Sequence, residues 1–207
     1  PIKSSAASDV YKRQGLGGSH KVAFNYAIEN NFDYVIVLHG DDQGSISDMI
    51  PVLKNGAFKK YDCCLGGRFA KGSKLVGYSK FRTFGNFVFN VIFSISVGKS
   101  ILDLGAGLNL YSTKMLKSKY YEKFPDNLTF NCYMLFALAS YKQTYRFVPI
   151  VWREEDQVSN VKMTRQAWQT LKMAVSYFFG RKKFMLKDAR EKKFKEYKSD
   201  VVFSTED

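Results

Sequence analysis

Apolar runs and periodicities divide the chain into alternating helices and strands. In residues 19–30 (SHKVAFNYAIEN), Val22, Ala23, Tyr26 and Ala27 recur at helical spacing behind a capping Ser19, and Asn30-Asn31 closes the segment. Residues 34–38 (YVIVL) form a short, uninterrupted apolar run rich in β-branched side chains, the pattern of a buried parallel strand. A helix over 47–55, terminated by Asn55-Gly56, and a second buried strand over 61–65 (YDCCL) follow. Helix, strand, helix, strand with short links predicts an α/β sheet.

The middle of the chain changes character. Residues 81–97 present a wide apolar helical face of Phe84, Phe87, Val88, Val91, Ile92 and Ile95, while Arg82, Asn86, Asn90 and Ser94 stand four apart as a polar stripe. A hydrophilic rail beside an apolar face suits a phosphate-bearing lipid at an interface. Residues 101–111 make a glycine-punctuated turn into a strand, Ser112 caps a short helix, and Asp126 or Asn127 caps a longer one reaching about 141. Residues 145–152 read as a strand that Pro149 assigns to an edge or a bulge. The last helix spans 165–179, with Trp168, Leu171, Ala174, Val175 and Phe178 on one face, and Gly180 is expected to end it. Residues 1–14 (PIKSSAASDVYKRQ) are polar and aperiodic, resemble an adaptor scar, and are expected to be a non-native or disordered leader.

Composition narrows the class. A chain of 207 residues, 45% hydrophobic and 25% charged, is long enough for one packed domain and excludes disordered, collagenous and disulfide-scaffold proteins. Three cysteines, two of them the adjacent Cys63 and Cys64, fit neither a disulfide framework nor zinc spacing, so a reducing compartment is expected. The formal charge is +13, and residues 162–198 hold 12 basic against 3 acidic side chains. Such a tail favours an anionic surface, either nucleic-acid phosphates or lipid headgroups, unless it is simply a solvated helix. The apolar face around Trp168 with cationic flanks describes an interfacial helix, and packing of that face onto the sheet is the alternative. No apolar run approaches the ~20 residues of a membrane span.

The candidate chemistry begins at Asp41-Asp42-Gln43, directly after the first strand. Ligands of open α/β sheets bind at the carboxyl ends of strands. Two carboxylates and an amide there are hard oxygen ligands for Mg²⁺ or Mn²⁺ shared with substrate phosphates; the alternative is an acidic turn leading into the next helix. Gly15-Leu-Gly-Gly18 lacks the Gly-Lys-Ser/Thr of a phosphate loop. Neither His20 nor His39 falls in a nucleophile-triad spacing.

Residues 15–43 (GLGGSHKVAFNYAIENNFDYVIVLHGDDQ) resemble the helix–strand–acidic segment of family-2 glycosyltransferases of the GT-A fold, whose strand ends in Asp-x-Asp-x-Gln. Here the matching residues are His39, Asp41 and Gln43, with His39 in place of the first acid. Gly66-Gly-Arg68-Phe-x-x-Gly72, Arg82-x-x-x-Asn86-x-x-x-Asn90 and Asp103-x-x-x-Gly107 follow in family order, and the nearest subgroup is the polyprenyl- or dolichol-phosphate sugar transferases. The family's first strand has no counterpart here, so the resemblance implies N-terminal truncation. It implies a mixed, mainly parallel sheet with helices on both faces. The expected organisation is a partial catalytic domain over 15–161 and a basic amphipathic helical region over 162–207.

The activity so implied is inverting transfer of a sugar from a UDP- or GDP-sugar to a lipid-phosphate or saccharide acceptor. The enzyme would work in the cytoplasm, peripherally at the inner face of the membrane, with no nucleic-acid partner. His39, Asp41 and Gln43 would bind the donor and Asp41 with Asp42 the metal. Asp103 would act as general base or orient the sugar, and Arg68 and Arg82 would hold the acceptor phosphate. Glu154, Glu155 and Asp156 are a second source of a base. The rivals are a sugar-nucleotide nucleotidyltransferase, which shares the general fold, and a non-enzymatic basic module binding nucleic acid or membrane.

Overall fold

The computed structural model describes residues 15–154 and 163–198. Helix α1 (Gly15–Glu29) leads to β1 (Tyr34–Leu38), the short α2 (Ile50–Lys54) to β2 (Cys63–Gly67), and β3 (Lys74–Val76) to the long α3 (Lys80–Val97). The rest comprises β4 (Leu108–Ser112), α4 (Thr113–Leu116), α5 (Phe130–Ser140), β5 (Tyr145–Pro149), β6 (Val151–Arg153) and α6 (Met163–Leu186). The fold is mixed α/β. The leader at 1–14, Glu155 and Asp156 lie outside the described residues.

The main sheet has the order β1-β4-β2-β5. Strands β1, β2 and β5 share one direction, while β4 runs against them and pairs antiparallel with both β1 and β2. The sheet is therefore mixed: three strands agree in direction, yet only the β2–β5 ladder within it is parallel. After Ile150 the chain changes partner, and β6 forms a second, two-stranded parallel sheet with β3.

Alternation along the strands feeds two cores. Cys63, Leu65 and Tyr111 join Phe24, Phe93, Phe130, Phe136 and Tyr177, drawn from α1, α3, α5 and α6. Phe136 stacks on both Phe93 and Tyr177, with ring centroids 4.7 and 4.2 Å apart. Cys64, Leu108, Leu110 and Val148 face the other way, onto Met49, Val52 and Trp152. All three cysteines are free and buried.

Several expectations change once the elements pack. The run YVIVL of β1 is at the sheet's edge among the described strands, so its residues are only half-buried and Leu38 is exposed. It is β2, flanked by β4 and β5, that is buried throughout. An apolar run reports compatibility with burial, not the number of neighbours. Pro149 does mark an edge, because β5 closes the other side of the sheet.

Helix α3 packs through Asn90, Phe93, Ser96 and Val97 and turns Phe81, Phe84, Phe87, Val88, Val91 and Ile95 to solvent. Its polar stripe points inward. Asn90 Nδ2 donates to the Leu102 carbonyl at 2.6 Å, and Ser94 Oγ accepts from Ile101 N at 2.9 Å, so the stripe satisfies the main chain after the helix.

Helix α6 does not stop at Gly180; it kinks there and continues to Leu186. Its expected apolar face divides: Ala174 is buried, while Trp168, Val175 and Phe178 are exposed. The basic segment after Leu186 is not a helical continuation. It returns to the body, where Ala189 N donates to the Lys123 carbonyl at 2.8 Å and Tyr197 is buried. The Tyr197 hydroxyl donates to Asp126 at 2.9 Å, and the fully buried Lys21 Nζ donates to Asp126 and to the Phe124 carbonyl at 2.7 and 2.6 Å. Burial lowers the Lys21 pKa against the pull of Asp126. The N-terminal glycines serve this same packing: Gly17 N donates to the Asp126 carbonyl at 2.8 Å, which a side chain there would obstruct. Among the described residues no helix is long and apolar enough to cross a membrane.

Candidate active site

Because β1, β2 and β5 are co-directional, their carboxyl ends and the start of β4 meet along one edge of the sheet. The loop after β1 (39–44), the end of β2 (66–68), the turn before β4 (103–107) and the β6 segment (150–154) all emerge there. His39 N donates to the Gly107 carbonyl at 2.8 Å, and a Cβ on Gly107 would lie 2.7 Å from the His39 ring, so this close approach requires glycine. On the other side, Arg153 N donates to the Gln43 carbonyl at 2.9 Å, and Gly44 packs against the Trp152 ring. The acidic loop is thus joined to β4 and to β6. Asp41 Oδ1 accepts the Gln43 N–H at 3.3 Å, and Asp42, exposed at the turn, adopts a left-handed conformation with φ 56°.

His39 and His20 meet edge to face beneath this loop, with ring centroids 5.7 Å apart. His20 Nδ1 lies 2.7 Å from the Leu16 carbonyl, which assigns the proton to that nitrogen; the buried Nε2 has no protein partner. Burial lowers both histidine pKa values, that of His20 to about 4, so the pair is neutral at pH 7. His39 is a half-buried neutral ring supporting the loop.

Arg68 and Asp103 form the densest polar contact of the site. Asp103 Oδ2 accepts from Arg68 Nε at 2.8 Å and from Arg68 main-chain N at 2.9 Å. Oδ1 accepts from Arg68 Nη2 at 2.7 Å and from Gly105 N at 3.0 Å. The carboxylate is wholly buried and the arginine nearly so. Four donors already surround Asp103, so accepting a substrate proton would disrupt the pair.

Arg82, on the first turn of α3, pairs with Glu154 at the end of β6. Tyr78 links it to Arg68. The Tyr78 hydroxyl accepts from Arg68 Nη1 at 3.3 Å and from Asn86 Nδ2 at 2.8 Å. The Arg82 and Arg68 guanidinium carbons lie 5.3 and 5.7 Å from the Tyr78 ring centre, and Trp152 is 5.3 Å from Arg68. The structure thus brings Arg68, Asp103, Arg82, Asn86 and Glu154 into one network, with the loop bearing His39, Asp41, Asp42 and Gln43 adjoining it through Gly107 and Trp152. Sequence reasoning did not find Tyr78 or Trp152. Neither belongs to a recognisable spacing, and aromatic residues near arginines are the only trace they leave. Glu154 enters as the counter-ion of Arg82 rather than as a base.

Among the described residues no three His, Cys, Asp or Glu side chains gather as a metal-holding group. The hard oxygens of Asp41, Asp42 and Gln43 fit Mg²⁺ or Mn²⁺ only as partial ligands, with a bound diphosphate completing the shell, as such ions commonly require. Behind the turn, a cavity of about 20 Å³ lined by Asp103, Asn109 and Asn131 has room for a single water. Asn131 Oδ1 is buried without a protein partner. No model of a known protein family matches this chain, and no curated protein matches it either.

Proposed function

We propose that this chain is part of a family-2 glycosyltransferase with a GT-A fold. It would transfer a sugar, with inversion, from a UDP- or GDP-sugar to a membrane-associated acceptor, working peripherally at the cytoplasmic face of a membrane. The observation that carries this reading is the convergence of four sequence-distant motifs on the carboxyl edge of one sheet: His39–Gln43, Gly66–Arg68, Arg82–Asn86 and Asp103–Gly107.

Asp41, Asp42 and Gln43 would receive the donor diphosphate with its Mg²⁺ or Mn²⁺. The ion supplies charge neutralisation as the nucleoside diphosphate departs. Arg82 exchanges Glu154 for the acceptor phosphate, since a guanidinium pairs with either oxyanion and can hold the phosphate through two parallel bonds. Arg68, clamped by Asp103, fixes Tyr78 and through it Asn86, and so is a positioning residue rather than the main phosphate ligand. A phosphate monoester with a second pKa near ~6 is already ionised at neutral pH and needs no general base. That favours a polyprenyl phosphate over a saccharide hydroxyl, which would need a base that the committed Asp103 is ill placed to supply. Asp103 is then a positioning residue as well.

The test is calorimetric titration of folded protein with UDP- and GDP-sugars, with and without Mn²⁺. Asp41→Asn is expected to abolish the metal-dependent part of donor binding. Arg82→Ala is expected to leave donor binding intact and to weaken binding of a short polyprenyl phosphate. An Asp41→Asn protein with unchanged donor affinity and unchanged Mn²⁺ dependence refutes the reading.

A further inference from the structure

The outer surface of α3 is the feature of the molecule that the site leaves without a role. Phe81, Phe84, Val88, Val91 and Ile95 recur at alternating steps of three and four, so they form one stripe along the helix, and every one is exposed. Phe81 is 73% exposed and Phe84 66%. Soluble proteins scatter such side chains singly; a contiguous stripe marks a contact surface. It is not a misplaced core, because α3 already packs inward through Phe93 and Val97.

Helix α6 lies against α3, and Arg181 Nη2 ties the two by donating to the Ser96 carbonyl at 2.9 Å. It carries its own exposed apolar residues, Trp168, Val175, Phe178 and Phe179, the last 83% exposed. Lys172 Nζ stands 5.2 Å from the Trp168 ring centre, an ammonium beside an aromatic at the water boundary.

Charge decides what covers this surface. Neither helix contains a single Asp or Glu, whereas Lys80, Arg165, Lys172, Arg181, Lys182 and Lys183 lie on them beside Arg82, which Glu154 answers within the site. A second copy of the chain would bring positive charge against positive charge with no carboxylate to answer it. An apolar stripe bordered only by cations matches a layer that offers hydrocarbon beneath an anionic rim.

We propose that α3, with α6 beside it, rests in the plane of an anionic lipid surface, its phenylalanine stripe entering the acyl boundary and its lysines and arginines meeting the headgroup phosphates. The two attractions reinforce each other: apolar burial supplies salt-independent adhesion, and each cation near an anionic leaflet adds an attraction that salt weakens. This deepens the proposed peripheral membrane association by naming the surface that makes it, while its argument rests on the outer stripe and its cations and not on the acidic loop.

The experiment is sedimentation of the chain with vesicles of equal parts phosphatidylcholine and phosphatidylglycerol, against vesicles of phosphatidylcholine alone. The unaltered protein is expected to sediment with the anionic vesicles. Phe84→Ser with Phe87→Ser is expected to lower that partitioning at least about tenfold, and at high salt as well, since each ring would lose its apolar burial. Lys182→Glu with Lys183→Glu is expected to lower it only at low salt. Lipids brominated along the acyl chain should quench Trp168 emission while buried Trp152 goes on emitting. No binding by the unaltered protein, or binding indifferent to the phenylalanine pair, overturns the proposal. So does unfolding of the phenylalanine variant in a thermal melt, which would make the stripe structural. A concentration-dependent dimer lost in that variant overturns it too, in favour of a second copy. Donor titration of the same variants keeps this outcome separate from the fate of the sugar-transfer reading.

Discussion

The carboxyl edge of the sheet and the outer face of α3 treat charge and apolar surface in opposite ways. At the sheet edge, charge is matched at close range: Arg68 has Asp103, Arg82 has Glu154, and Tyr78 stands between the two arginines. On α3 and α6 no carboxylate accompanies the cations other than Arg82, and one row of apolar side chains, including Phe81, Phe84, Phe178 and Phe179, faces outward. A buried, matched network resists change, because removing one partner strands the other in a poor solvent. An exposed stripe costs the fold almost nothing to alter and is suited to contacts made from outside. Under the readings proposed above, the first region would act by exchanging one oxyanion for another and the second by the area it offers.

The comparison predicts a descending series of effects. The largest belongs to the Arg68–Asp103 pair. Asp103→Asn should destabilise the protein by roughly 3–5 kcal/mol in chemical denaturation, because the buried guanidinium loses its counter-charge. Arg68→Met with Asp103→Leu should recover much of that loss. If the single change were neutral, the pair would not be the rigid anchor of the site.

Next comes acidity. His20 is neutral in the folded protein because burial lowers its pKa from 6.5 to about 4, with the Leu16 carbonyl partly opposing. The unfolded chain therefore binds its proton first as the pH falls. The stabilisation associated with a neutral His20 is complete above pH 6.5 and is lost progressively as pH falls toward about 4. That loss amounts to about 3 kcal/mol from this histidine, and His39, also lowered by burial, adds in the same direction. Thermal melts across this range should fall more gently for His20→Leu than for the unaltered chain. An identical slope would show that His20 is not the titrating group.

The smallest effect is expected on the outer face. Phe87→Ser should change stability by no more than about 0.5 kcal/mol, as exposed substitutions generally do, and Phe93→Ala on the inward side of the same helix should cost about 3–5 kcal/mol. Equal losses from the two would erase the distinction between the faces of α3.

Most elements of this fold were legible in the amino-acid pattern alone. YVIVL, the Asn55-Gly56 stop and the long helix after Lys80 depend on periods of two and 3.6 and on turn chemistry, which are properties of neighbouring residues; the first helix was legible by period too, but it begins at Gly15, with Ser19 bonded back to the Gly15 carbonyl inside it instead of capping it. Asp41 is legible as candidate chemistry for the same reason, since it follows directly on a strand, whereas Arg68 and Asp103 become candidates only through the family resemblance and Arg82 through that resemblance and its polar stripe. The pattern did not determine partners. Whether YVIVL has one neighbouring strand or two, and which way the apolar face of α3 points, are set by what the rest of the chain brings beside them. The resemblance implies a phosphate-holding role for Arg68, and its sequence neighbours, glycine and phenylalanine, offer no counter-ion. Only the fold delivers Asp103, 35 positions away, to its guanidinium. The tail after Leu186 is similar: its lysines announce a cationic surface, but its course follows from Tyr197 finding Lys21 and Asp126. Local sequence sets which conformations are cheap for each segment, and contacts between distant segments, worth more than those local preferences, select among them.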